Sequence, residues 1–95
     1  MKLPKKIKVG GYIFKVVRAD IPTEDACGIF RRNNSTIYIS KSIDNDDPLW
    51  QTLCHEILHA IDYVYNAEKL DEENIERLSQ GLWQVLKDNF IEPHK

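Results

Sequence analysis

The stretch Asp47 to Tyr65, DPLWQTLCHEILHAIDYVY, decides how this chain is put together. Leu49, Leu53, Ile57 and Ile61 recur at every fourth position and Leu58 and Val64 widen the stripe, the pattern of a helix that buries one face against a core. Asp46 or Asp47 stands where it can cap that helix, Pro48 suits its first helical position, and no glycine or proline follows until Gly81. His55 and His59 then lie at i and i+4 in the order H-E-x-x-H, one turn apart on one face, where two imidazoles can grip one metal ion. With three His and seven Glu among 95 residues, such a triplet arises by accident in roughly 0.7% of chains of this composition, so the motif is informative.

On the amino-terminal side, Lys6 to Val9 and Tyr12 to Val17 alternate as strands do. Gly10-Gly11 between them is a two-residue hairpin signal, because both positions tolerate positive φ. Ile21 to Asp25 reads as a loop, with Pro22 barring a continuous strand. Ala26 to Arg32 and Thr36 to Ser40 flank Asn33-Asn34-Ser35, a turn in which asparagine suits the left-handed conformation. In Thr36 to Ser40, Ile37 and Ile39 share one face and point to the core.

On the carboxy-terminal side, Lys41 to Asp47 is a polar connection and Asn66 to Leu70 a loop. Asp71 caps a second helix whose first turn holds Glu72 and Glu73, as the helix dipole favours. Its buried side is expected to carry Ile75, Leu78, Leu82, Val85, Leu86 and Phe90, and it ends before Pro93. The fold class that follows is α+β: residues 1–95 as a single domain, with β-hairpins forming a sheet, then the H-E-x-x-H helix, then a carboxy-terminal helix.

The formal net charge of −2 conceals an uneven distribution. Residues 1–19 hold six bases (Lys2, Lys5, Lys6, Lys8, Lys15 and Arg18) and no acid, whereas residues 44–76 hold ten acids against Lys69 alone. A basic hairpin can attract nucleic acid, but a solvated sheet edge is the more economical reading. The opening MKLPKKIKV lacks the apolar run of a signal peptide, no stretch is long enough to span a membrane, and only Cys27 and Cys54 are present. A cytoplasmic protein with reduced thiols is expected, Cys54 packed in the helix and Cys27 buried in a strand. Trp50 and Trp83 read as core.

Zinc sites that do chemistry usually have three protein ligands and a water in the fourth position. The only histidine after His59 is His94, in the tail, so the third-ligand candidates are Glu68, Asp71, Glu72, Glu73 and Glu76. Counting about 100° per residue from Ile75, Glu72 lies about 60° from the buried stripe, Glu76 about 100° and Glu73 about 160°. Glu72 suits a ligand best, Glu76 next, and Glu73 points to water. Asp62, three residues beyond His59, either orients a histidine or faces solvent.

HEILHAID followed by a helix opening Glu72-Glu73-Asn74-Ile75-Glu76 resembles the gluzincin type of zinc metallopeptidase. It is most similar to short phage- or prophage-encoded members related to the ImmA/IrrE group. The resemblance covers residues 36–90 and implies a small zincin-like domain with Zn2+ held by His55, His59 and Glu72. It implies further that Glu56 acts as general base toward a zinc-activated water in peptide-bond hydrolysis, the substrate being a protein or peptide. It also implies a sheet edge beside the active-site helix that pairs with an extended peptide, a role open to Thr36 to Ser40, the alternative being that this is an ordinary interior or shielded strand. Tyr38, Tyr63, Tyr65 and Arg31 are the chemically able oxyanion donors. The reading from another class is a non-catalytic zinc-containing module that contacts nucleic acid or a partner protein through the basic hairpin.

Overall fold

The computed structural model describes residues 2–21 and 27–91. Four strands, β1 (Lys6–Val9), β2 (Tyr12–Ala19), β3 (Gly28–Arg31) and β4 (Thr36–Ser40), precede two helices, α1 (Asp46–Tyr65) and α2 (Glu72–Asn89). The strands form one mixed sheet in the order β1-β2-β4-β3. The first hairpin is as expected: Val9 faces Tyr12 across Gly10-Gly11, and Gly10 takes φ +60, where a Cβ would lie 2.8 Å from Val64 Cγ1. A side chain there would both strain the backbone and collide with α1.

The second hairpin docks through β4, which runs parallel to β2 with Lys15 opposite Thr36 and Ala19 opposite Ser40. That ladder extends β2 two residues past Val17. It also makes β4 an interior strand, so Thr36 to Ser40 is not the sheet edge; that place falls to β3. Thr36 and Ser40 are accordingly buried along with Ile37 and Ile39. The connection between β3 and β4 is a 3-10 turn over Arg32–Asn34, and its left-handed residue is Ser35 (φ 52) rather than an asparagine, with Ser35 N–H donating to Arg32 O. The two asparagine positions lie inside or at the end of the 3-10 turn, so the reversal of backbone hand is displaced to the residue after it. The expected loop from Pro22 to Asp25, the strand start at Ala26, Pro93 and His94 all lie outside the described residues.

The core is the sheet face under α1, where Val9, Phe14, Ile37, Ile39, Leu49, Leu53 and Ala60 pack together. Burial of this apolar face supplies the main stabilisation of so small a fold. Asn45, not Asp46 or Asp47, occupies the cap position of α1, and its side chain makes no capping bond. The Asp47 carboxylate instead accepts from Trp83 Nε1 at 2.8 Å and Lys87 Nζ at 3.2 Å, tying the start of α1 to α2. Those two bonds hold it below the usual carboxylate range.

At the start of α2 the Asp71 carboxylate accepts from Asn74 N–H at 2.8 Å, as expected of its cap. Beyond the cap, α2 packs on α1 along a narrower stripe than its apolar residues suggest. Ile75, Ser79 and Trp83 are buried and Leu82 and Leu86 half-buried, while Leu78, Val85 and Phe90 are exposed. A helix held on one side by one partner can bury only one arc. Within that arc Gln51 donates to Ser79 Oγ and the Trp50 and Trp83 rings stack 5.9 Å apart. Among the described residues, no helix is long and apolar enough to cross a membrane.

Candidate metal centre

The site forms where α1, the amino-terminal turns of α2 and the edge strand β3 meet around a cleft of about 740 Å³. The i, i+4 spacing on α1 puts the His55 and His59 rings 5.0 Å apart. The loop between the helices then delivers the acid. Asp62, buried at the end of α1, neither touches a histidine nor faces solvent. Its carboxylate accepts from Asn66 Nδ2 and from the Leu70 amide, folding the chain back over α1 through two left-handed residues, Ala67 and Glu68.

That return sets Glu72 between the two imidazoles. Glu72 Oε2 is 2.6 Å from His55 Nε2 and Glu72 Oε1 is 3.0 Å from His59 Nε2. One donor atom from each of His55, His59 and Glu72 lies within 4.8 Å of the other two. Ligand atoms at about 2.0–2.2 Å from a tetrahedral zinc lie about 3.3 Å from one another; the N,N,O donor set suits that ion, while the 2.6 and 3.0 Å contacts are those of hydrogen-bonded pairs, closer together than two ligands of one ion. Glu76 Oε1 sits 2.8 Å from His55 Nδ1, on the far side of the ring from Glu72. This is where a residue that orients a ligand histidine belongs. Glu73 points away and pairs with Arg77 at 2.7 Å. Glu68 lines the cleft but is engaged by Arg32, and Asp71 is occupied with its cap.

Glu56 lines the same cleft at only 5% exposure. Burial pushes its carboxyl up to about 7, with His55 opposing the rise and the negative charge of Glu72 adding to it. Desolvation disfavours the charged form, so in the metal-free site Glu56 holds a proton more readily than an exposed glutamate does. Comparisons with known proteins return nothing: no family model matches the chain, and no curated protein or solved structure matches it.

Phe30 and Gly28 reach the cleft with no signal in the sequence, and Cys27 reaches it against expectation. Phe30 lies beside His59 in an offset parallel arrangement, with ring centroids 6.4 Å apart and planes 4° from parallel. Gly28 lies against Thr52 and Glu56. Cys27 is exposed at the cleft rather than buried in a strand, because β3 begins only after it. Cys54 is buried as expected, its thiol pushed up to about 11 by desolvation. Of the four oxyanion candidates, none lines the cleft. Tyr63 packs on Phe30 and Tyr12, Tyr38 accepts at its hydroxyl from Asn34, Tyr65 is mostly exposed, and Arg31 is exposed on β3.

Proposed function

We propose that this chain is a zinc-dependent peptidase of the gluzincin kind, a zincin-like domain related to the ImmA/IrrE group. The observation that carries the reading is the convergence of His55, His59 and Glu72 on one point at the cleft, beside the buried carboxylate of Glu56. In this reading the three residues hold Zn2+, Glu76 steadies His55 through Nδ1, and Phe30 steadies His59. Zinc, when bound, supplies the positive charge that acidifies a water and polarises a carbonyl. Glu56 takes the proton of the attacking water on its carboxylate and returns it to the leaving nitrogen. The free edge of β3, which borders the cleft, offers backbone N–H and C=O groups to an extended peptide, so the substrate is a protein or peptide segment in strand conformation.

The test is zinc content of protein purified without chelator, followed by hydrolysis of an unstructured protein substrate by wild type and Glu56→Gln. Retained zinc with a rate loss of about 10²–10⁴-fold is expected for the removal of a general base. Equal activity in the two proteins, or no zinc at saturation, overturns the proposal. The exposed Lys5, Lys6, Lys8 and Lys15 on and beside the β1-β2 hairpin support a second reading, a non-catalytic zinc module that contacts nucleic acid. A binding constant that falls steeply with salt would identify it.

A further inference from the structure

The edge strand lies close against α1 at Gly28. A Cβ built there would lie 2.9 Å from Thr52 Cγ2, 3.0 Å from Glu56 Oε2 and 3.1 Å from Glu56 Cγ. Gly28 sits in ordinary strand conformation, opposite Ile39 of β4, so its backbone does not need glycine; no positive φ is recorded for it. What requires glycine is the space. The β4 ladder holds β3 along one edge, and Thr52 and Glu56, one helical turn apart on α1, lie against the face of the strand to which the Gly28 Cβ would point.

We infer that Gly28 is a positioning residue for Glu56: its missing side chain lets the edge strand form one wall of a slot that holds the Glu56 carboxylate beside His55, His59 and Glu72. The inference rests on the peptidase reading for its effect on turnover, but its geometric content is independent of it. A methyl group at 28 must displace something. The β3 backbone is tied to β4 on its far side, and Thr52 is β-branched with few rotamers on a helix. The freest of the three neighbours is the end of the Glu56 side chain, so it is the carboxylate that moves.

The test compares Gly28→Ala, Thr52→Ser and the double variant. Thr52→Ser removes the Cγ2 methyl and leaves both Glu56 contacts, so it separates crowding of the helix from displacement of the carboxylate. Gly28→Ala is expected to bind zinc within about threefold of wild type. Its kcat is expected to fall about 10–100-fold with KM little changed, the scale of a 1 Å misplacement of a catalytic group. Thr52→Ser should restore thermal stability to Gly28→Ala without restoring kcat. A crystal structure of metal-free Gly28→Ala should show the Glu56 carboxylate moved from the position it holds in the metal-free wild type. An unmoved carboxylate overturns the inference, as does full recovery of kcat in the double variant. If wild type hydrolyses no peptide, the peptidase reading fails, and the position of Glu56 in the metal-free variant still decides this one.

Discussion

Replacing Glu56 by Gln should make the metal-free protein more stable, and by an amount that depends on pH. In the folded state the Glu56 carboxyl titrates at about 7 instead of 4.5 because it is buried. Between those values the folded protein holds a proton that the unfolded chain has released, so stability falls as pH rises through this window and levels off above it. At about 1.36 kcal/mol per pH unit the whole effect is about 3 kcal/mol, a large part of the about 5–15 kcal/mol that holds a domain together. Glutamine has nearly the same shape and does not titrate. The stability difference between Glu56→Gln and wild type should therefore grow by about 3 kcal/mol in favour of the variant from pH 4 to pH 8. Urea unfolding of chelator-treated protein, followed by fluorescence of Trp50 and Trp83, measures it at each pH; carboxyls distant from Glu56 cancel in the difference, whereas Glu72 and His55, which interact with it, contribute to it. A difference that stays flat across that range would refute the burial argument for Glu56. A variant at once more stable and inactive would mark a site kept under strain for its chemistry.

Three further outcomes follow from the geometry. Calorimetric zinc titration should rank the acids of α2: Glu72→Gln loses more affinity than the about 10–100-fold typical of an outer-shell partner, Glu76→Gln loses about that much, and Glu73→Gln loses none. Equal effects at 72 and 73 would contradict the ligand assignment. With a colorimetric thiol reagent, native protein should yield one fast-reacting cysteine, the exposed Cys27, and Cys54 should react only after denaturation; two fast thiols would show α1 to be open. Phe14, fully buried at the centre of the sheet, should cost about 3–5 kcal/mol on replacement by Ala, measured by urea denaturation.

Local chemistry was enough to read the elements. The period of four in Leu49, Leu53, Ile57 and Ile61, the Gly10-Gly11 turn and the Asp71 cap each act within a few residues, and both helices and the first hairpin form where these signals put them, whereas the cap of α1 and the turn of the second hairpin are shifted by a residue. The i, i+4 pair His55 and His59 is likewise a property of one helix, and its two rings share a face without help from the rest of the chain. Helical phase alone also pointed Glu73 outward and left Glu72 ahead of Glu76. Arrangement between elements was another matter. That β4 pairs with β2 in parallel, making it interior and leaving β3 as the edge, depends on which ladder forms between distant segments. Trp83 is buried as its type suggested, but the burial of Ser79 in place of Leu78, Val85 and Phe90 depends on α2 packing against α1 alone among the described elements. Glu72 reaches both imidazoles because Asp62 folds the helix-helix loop back on itself, and Gly28 and Phe30 meet the site only because β3 lies against α1. Periodicity reports which face of a segment is apolar; only packing decides what that face meets.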